Sequence, residues 1–231
     1  YRALPEMYEI AAFCDINAEK AKAVADKNGI AKTVSSLDAL LEEELDLIDL
    51  CTPSGLHYEQ TLQVLAAGQN VIVEKPLASS LAEVEAIRAA EERSDGMVLP
   101  IFQYRFGHGI ARLHHLKAKG LAGRPSVATA ETHWRRTQAY YDQGPWRGHW
   151  DTELGGCLAT HAIHIHDLLI QVLGPIETVY ARADASVNGN ETEDRAILAL
   201  TFRDGGYATS SITLGAHPQA SRLKFCFEGV T

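Results

Sequence analysis

The sequence predicts an α/β chain in two parts: a doubly wound parallel sheet, incomplete at its start, followed by an α+β domain with a mostly antiparallel sheet. Three observations carry this. Over about the first hundred residues, apolar strand-like runs alternate with amphipathic helical ones, the order of a parallel sheet with crossover helices. Beyond Phe106 the texture changes to hairpin-linked strands beside few helices. The chain has 231 residues, 46% hydrophobic and 22% charged, long enough to bury one large core or two modest ones. The expected boundary divides residues 1–104 from 105–231.

The elements follow in order. "YEIAAFCD" reads as a buried strand, and "NAEKAKAVADKNG" as a helix opened by Asn17 and closed by Gly29. "SSLDALLEEE" is a short helix with Ser35 three residues before Asp38. "LDLIDLCTP", "NVIVEKP" and "MVLPIFQYRF" are strands, separated by the helices "HYEQTLQVLAAG" and "SLAEVEAIRAAEERS". In the second part the helix "GIARLHHLKAKG" precedes the strand "SVATAETHW" and a polar, aromatic loop. One helix, "CLATHAIHIHDLLIQVLG", leads to strands at "IETVYARAD", "AILALTF" and "GYATSSITL", the last two joined by the turn "RDGG". The closing run "SRLKFCFEGVT" alternates like a strand. Tyr1 falls where a helix tail would meet a strand already under way, and the last residues stop just past a turn, so the sequence is expected to be a fragment.

Charge narrows the function classes. A net charge of −9 without a Lys/Arg cluster argues against nucleic acid and anionic membrane surfaces as partners. No apolar run approaches the roughly 20 residues needed to cross a bilayer, and no signal pattern opens the chain, so the expected location is the cytoplasm. Cys14, Cys51, Cys157 and Cys226 show no C-x-x-C pairing and are expected as reduced core thiols.

In an open parallel sheet, ligands bind beyond the carboxyl ends of the strands. Those ends carry Asp15, "TPSGLH" (Thr52 to His57), "EKP" (Glu74 to Pro76) and "QYRF" from Gln103. An Asp at a second strand's end suits the adenosine ribose hydroxyls of NAD. Ile16 after it supplies no cation for a 2′-phosphate, which favours NAD while leaving NADP open. The glycine-rich fingerprint, roughly 20 residues upstream, would fall before Tyr1.

The ordered set "CD", "TP" with His four residues after the proline, "EKP", Arg-Phe after the next strand, and a glycine pair leading to "HAIHIHDLL" resembles the Gfo/Idh/MocA oxidoreductases (glucose-fructose oxidoreductase, inositol dehydrogenase and relatives). The resemblance spans nearly the whole chain. It implies a partial Rossmann domain and a hydride transfer between a nicotinamide cofactor and a hydroxyl-bearing carbon of a sugar, sugar acid or cyclic polyol. It also implies that Lys75 reaches the substrate hydroxyl beside the nicotinamide, often across a cis Lys-Pro bond, and that His164 is its proton-transfer partner. Cofactor contacts are carried over to Asp15, Thr52, Pro53, His57, Glu74, Lys75, Pro76 and Gln103. Substrate contacts are carried over to Thr160, Asp167, Arg105, Trp146 and Arg147. Thr160 stands where the inositol dehydrogenase branch has Asp, which sets inositol itself in doubt.

"THAIHIHD" holds three histidines and an acid, which raises a metal-dependent hydrolase with zinc as a rival. On one continuous helix His164 and His166 point to nearly opposite sides, while Thr160, His164 and Asp167 share a face, so no metal is expected. Trp134, Arg135, Arg136, Tyr140, Tyr141, Trp146, Arg147 and Trp150 mix flat apolar faces with forked donors and suit a sugar or sugar acid. A non-catalytic dinucleotide- or sugar-binding regulator is the other rival, and the second sheet offers a surface for a homo-oligomer.

Overall fold

The computed structural model describes residues 1–231. They cluster into two compact units. The first comprises Tyr1–Cys51, Tyr58–Val73 and Ala82–Leu99; the second comprises Thr52–His57, Glu74–Leu81 and Pro100–Thr231.

In the first unit β1 (Ala12–Cys14) leads to α1 (Ala18–Asn28). The Asn17 side chain accepts from Lys20 N, and Gly29 takes the left-handed φ of 70° that closes the helix. The residues ahead of β1 form turns, with Leu4 N bonded to Tyr1 O and Met7 N to Leu4 O, so the first strand is shorter than its apolar run. A strand that the sequence pattern did not reveal, β2 (Lys32–Val34), pairs parallel to β1; two of its three residues are exposed, so it carries no apolar alternation. α2 (Leu37–Leu41) is capped by Ser36, which accepts from Ala39 N, one residue later than expected.

β3 (Leu47–Leu50), α3 (His57–Ala66), β4 (Asn70–Val73), α4 (Leu81–Glu91) and β5 (Val98–Pro100) complete the alternation, with β4 central and parallel to β3. Ile48, Leu50, Val64, Leu65, Val71, Val73 and Ile87 are buried. The parallel strands therefore form two ladders, β1–β2 and β3–β4–β5, and no strand of this chain bridges them. Beyond β5, Gln103–Phe106 is a 3₁₀ turn rather than the continuation of a strand.

The second unit contains α5 (His108–Ala118), β6 (Pro125–Arg135), α6 (Gln138–Tyr141), α7 (Trp150–Glu153), α8 (Cys157–Thr160), α9 (Ile163–Leu173), β7 (Ile176–Asp184), β8 (Arg195–Phe202), β9 (Tyr207–Thr213) and β10 (Gly215–Phe227). Its sheet runs β10-β6-β9-β8-β7, antiparallel except for the β6–β9 pair. Gly205 and Gly206, at φ 90° and 92°, make the β8–β9 turn.

One face of the sheet, with Ala128, Ala130, Leu200, Phe202, Ala208 and Phe225, packs against Ile165, Leu169, Val172 and Leu173 of α9. Each large side chain buried there contributes roughly 1.5–3 kcal/mol. The opposite face leaves Val127, Tyr180, Ile197 and Tyr207 exposed. No helix is long and apolar enough to cross a membrane.

Two expectations are corrected here. The helix expected from Cys157 to Leu173 is broken. At His161–Ala162 the ladder slips, with Ala162 N bonding Cys157 O five residues back, so Thr160 does not share a continuous helical face with His164 and Asp167. None of the four cysteines forms a disulfide, but only Cys157 is buried; Cys14 and Cys226 are half-buried, and Cys51 is exposed because it lies just past the end of β3.

Gly96 lies against the chain entering β4, where a Cβ would sit 2.1 Å from the Gln69 carbonyl oxygen. Gly96→Ala should lower stability by about 1–3 kcal/mol, read as a reduced urea midpoint, and an unchanged midpoint would contradict this packing.

Candidate active site

Lys75 stands two residues past Val73, the last residue of β4. Glu74 accepts from the Lys75 amide (3.2 Å), and the Lys75–Pro76 peptide is cis. His57 holds this turn from behind: its Nδ1 lies 2.7 Å from Pro76 O and its Nε2 2.9 Å from Thr52 O, and it is 1% exposed. Both ring nitrogens are thus engaged by the backbone, so His57 supports the loop rather than reaching a ligand. Gly55 in the same loop approaches α7, where a Cβ would lie 3.0 Å from Thr152 O. The lysine Nζ donates to Thr160 O at 2.6 Å.

Thr160 O is fixed by a clamp. Leu154 takes a left-handed φ of 67° and turns the chain into Gly155 and Gly156. A Cβ on Gly156 would lie 1.9 Å from Glu193 O, so only glycine fits that approach. The buried Glu193 carboxylate accepts from Gly156 N (3.0 Å) and Leu158 N (3.0 Å), and Glu193 O accepts from Cys157 N (2.7 Å). The first amides of α8 are thereby satisfied and its position set. Thr160 Oγ1 donates to Gly156 O (2.6 Å) and lies 2.7 Å from His161 Nδ1, so its hydroxyl is used internally and its carbonyl faces the lysine.

His164, on the first turn of α9, is 4% exposed, stacks on Tyr104 at 4.9 Å between centroids, and has no partner for Nδ1. Burial, then the Lys75 charge, holds its pKa below the ordinary histidine value, so the ring is neutral near pH 7. Burial also lowers the Lys75 pKa; Glu74 and Glu153 oppose that shift, and Arg147 and Arg136 add to it. A buried ammonium in such a field releases a proton more readily than an ordinary lysine.

The remaining sequence candidates divide. Arg147 Nη1 donates to Tyr140 Oη (2.6 Å), and its guanidinium lies over Trp146 at 4.2 Å. Arg105 and Asp167 form a bidentate pair (2.8 and 2.6 Å), so each occupies the other's hydrogen-bonding edge instead of facing a substrate. Thr52 and Pro53 are half-buried in the loop that His57 holds, and Gln103 is exposed. Two residues that the sequence did not single out, Glu153 and Glu193, join the site together with His161, which it weighed only as a metal ligand. His161 has its pKa pushed down to about 3 by burial and then by Arg136, Lys75 and Arg147. Glu153 is buried, accepts from Gly148 N, and is pushed up by burial. Glu193 is the clamp. Glu153 closes the four-residue α7 and Glu193 lies in the loop before β8, and neither carries a motif that would have revealed it. No three His, Cys, Asp or Glu side chains converge as a ligand set, and His166 instead meets Ser210 Oγ at 3.2 Å.

In the first unit Asp15 stands at the carboxyl end of β1. Its Oδ1 accepts from Asn17 N (2.9 Å) and its Oδ2 meets Lys20 Nζ (2.6 Å). The Lys20 partner and then the Asn17 amide hold its pKa low, so it remains an ionised acceptor, and Ile16 beside it is 92% exposed. This donor set fits a ribose diol. Lys20 is a neighbouring cation that reading Ile16 alone did not reveal.

Residues 1–102 match a family described as an oxidoreductase family with an NAD-binding Rossmann fold, and residues 110–229 match the GFO/IDH/MocA C-terminal domain. The chain is 32% identical over 206 residues to the 1,5-anhydro-D-fructose reductase of Ensifer adhaerens, covering 85% of the chain and 59% of that protein. It is 30% identical over 240 residues to the D-glucoside 3-dehydrogenase of Escherichia coli K12, covering 94% of the chain and 67% of that protein. The WlbA dehydrogenase from Bordetella pertussis, solved with NADH and UDP-GlcNAcA, superposes with a TM-score of 0.92 at 30% identity, covering 97% of the chain and 65% of that structure. The chain spans 59% of the reductase and 65% of the solved dehydrogenase, less than two thirds of either.

Two buried histidines, His161 and His164, and the half-buried His166 set an acid limit on stability. His161, His164 and His166 all titrate below their ordinary value of 6.5 when folded, so below pH 6.5 the unfolded chain binds more protons than the folded one. Stability should be full above pH 6.5 and fall progressively as the pH drops toward about 3, where His161 itself protonates. Urea midpoints across this range check it; a flat profile in a His161→Gln variant that matches the parent would contradict the assignment.

Proposed function

The chain belongs to the Gfo/Idh/MocA oxidoreductase family, and on that premise we propose that it serves a nicotinamide-dependent dehydrogenase acting on a hydroxyl-bearing carbon of a sugar, sugar acid or cyclic polyol. The observation that carries this reading is the Lys75 ammonium held at 2.6 Å from Thr160 O beside the buried His164, whose Nδ1 has no partner. The relatives named for an anhydrofructose and for glucosides support the substrate class.

The bound nicotinamide supplies the hydride acceptor. Lys75 has three donor hydrogens; one goes to Thr160 O, and two are left for the substrate oxygen on which charge develops. As that hydroxyl becomes a carbonyl its proton leaves, and the neutral imidazole of His164 is the group able to hold it. Asp167, fixed by Arg105, orients α9. Glu74, Pro76, Thr52, Pro53 and Gln103 are assigned to the cofactor border, with His57 as their support. Asp15 is assigned to the adenosine ribose of NAD, with Lys20 leaving NADP as the competing cofactor. The sequence domains are assigned to residues 1–104 and 105–231, a division supported by family matches that end at 102 and resume at 110, although the segments 52–57 and 74–81 cluster with the second unit. The exposed face with Val127, Tyr180, Ile197 and Tyr207 is assigned to self-association, which light scattering reads directly.

Lys75→Met and His164→Asn should each lower turnover by roughly 10²–10⁴-fold while NADH affinity persists, and the double variant should be little worse than the poorer single one. Multiplying losses would show independent roles; turnover within tenfold of the parent in both variants would place the chemistry elsewhere and favour a non-catalytic binder. The acid limb of the oxidation rate should lie below pH 6.5, the ordinary histidine value, because His164 is held below it. Asp15→Ala should raise the Michaelis constant for NAD more than it lowers turnover, and a parent preference for NADP would refute the ribose assignment.

A further inference from the structure

Of the two arginines beside the lysine–histidine pair, Arg136 has no ion pair and Arg147 has only a long one, to Glu153. Arg105, Arg124, Arg195 and Arg222 each meet a carboxylate within 3.1 Å. Arg136 has no ion pair, and its Nε is buried without any hydrogen-bond partner. The carboxylate facing Arg147 is Glu153, at 3.7 Å, beyond hydrogen-bond reach and already accepting from Gly148 N.

Both guanidiniums are held flat. Arg147 lies 4.4 Å from the Tyr140 centroid and 4.2 Å from that of Trp146; Arg136 lies 5.0 Å from those of Trp134 and Tyr140. Stacking takes the faces of a guanidinium and leaves its edge N–H groups for an acceptor. Part of each edge is already used: Arg147 Nη1 donates to Tyr140 Oη, and Arg136 Nη1 donates to Arg135 O. The buried Arg136 Nε and what remains of both edges are donors in need of oxygen atoms.

The same residues reach the chemistry through ring contacts. Trp134 and Tyr140 meet His161 edge-on at 5.5 and 6.1 Å, and His161 Nδ1 contacts the Thr160 hydroxyl, whose residue also supplies the carbonyl bonded by Lys75. After burial, the groups that depress the His161 pKa are, in order, Arg136, Lys75, Arg147 and His164, so the two arginines and the lysine all lie within electrostatic reach of that ring. Burial raises the Glu153 pKa, and the Gly148 amide, Arg147 and Lys75 oppose that shift.

We propose that Arg136 and Arg147 bind a carboxylate on the substrate, so that the compound whose hydroxyl meets Lys75 is a sugar acid rather than a neutral sugar or polyol. The proposal rests on the hydroxyl-handling assignment of Lys75 and His164. A carboxylate, planar and singly charged, offers one oxygen to each guanidinium edge, whereas a phosphate would bring a third oxygen with no donor among these residues. Arg136 and Arg147 are then specificity-determining, and the aromatic rings between them cover the faces of the sugar.

Calorimetric titration with D-glucuronate, D-galacturonate, D-glucose and D-glucose 6-phosphate tests this. At least one uronate should bind about tenfold or more tighter than glucose, the scale of a charge-assisted hydrogen bond, and tighter than the phosphate. Arg136→Met and Arg147→Met should each weaken uronate binding by about 10–100-fold and leave glucose binding within a few-fold. Lysine variants should recover part of the loss, and they replace the methionine ones wherever the latter shift the unfolding midpoint. No measurable uronate binding, glucose bound as tightly as both uronates, or uronate binding retained by the variants would overturn the proposal; tighter binding of the phosphate would overturn the carboxylate. NAD reduction is read separately. Uronate binding that depends on the arginines without NAD reduction would sink the dehydrogenase reading and leave this one standing. Neutral sugars that reduce NAD without any preference for acids would do the reverse.

Discussion

The hydrogen bond from Lys75 Nζ to the Thr160 carbonyl is the constraint around which the site is organised. A half-buried ammonium needs an acceptor, because burial disfavours its charged form and an unpaired cation in that setting would lose its proton. A backbone oxygen answers that need without adding a counter-charge. The ammonium thus stays poised rather than locked, as it would be by a carboxylate at the same distance. Everything that fixes Thr160 O in place, from Gly156 to the Glu193 clamp, acts on the lysine through this one contact.

The two ends of that bond are secured by opposite means. On the lysine side a fully buried imidazole, His57, ties the carbonyls of Thr52 and Pro76 together, so the loop is held by its own main chain. On the threonine side a buried carboxylate gathers the amides at the start of α8. Each device pairs a side chain with backbone groups that would otherwise be stranded away from water. The sheet of the second unit supplies the rigidity behind α9, since Ile165, Leu169 and Val172 sit within its apolar layer. The result is that Lys75 and His164 are mounted on packed elements, with arginines and aromatic rings along one side.

Much of this was legible in the sequence, and the exceptions have physical causes. α1 announced itself because Asn17 and Gly29 supply the two caps a helix needs. Lys75 and His164 were found from the order of several short patterns, none informative alone. β2 was missed because three mostly exposed residues show no alternation. The break at His161–Ala162 was invisible because apolar spacing continues across it, while the start of α8 is set by Glu193, far from Gly156 in the chain. The Thr160 carbonyl was not foreseen as the lysine's acceptor, since sequence patterns describe side chains and that acceptor belongs to the peptide group. Arg105 and Asp167 were both identified, but their mutual pairing requires knowledge of which helix meets which turn.

The slipped turn between α8 and α9 has a consequence for how such a site can change over time. Because the lysine's acceptor is a main-chain oxygen, it comes with whatever amino acid occupies position 160, provided the turn itself survives. The anchoring of Lys75 and the chemical character of the neighbouring side chain are therefore separable traits. Selection on substrate preference can replace the threonine with a larger, smaller or charged residue while the proton-handling apparatus is inherited intact. Comparisons that score only side-chain identity at this position would register a divergence where the essential contact is unaltered.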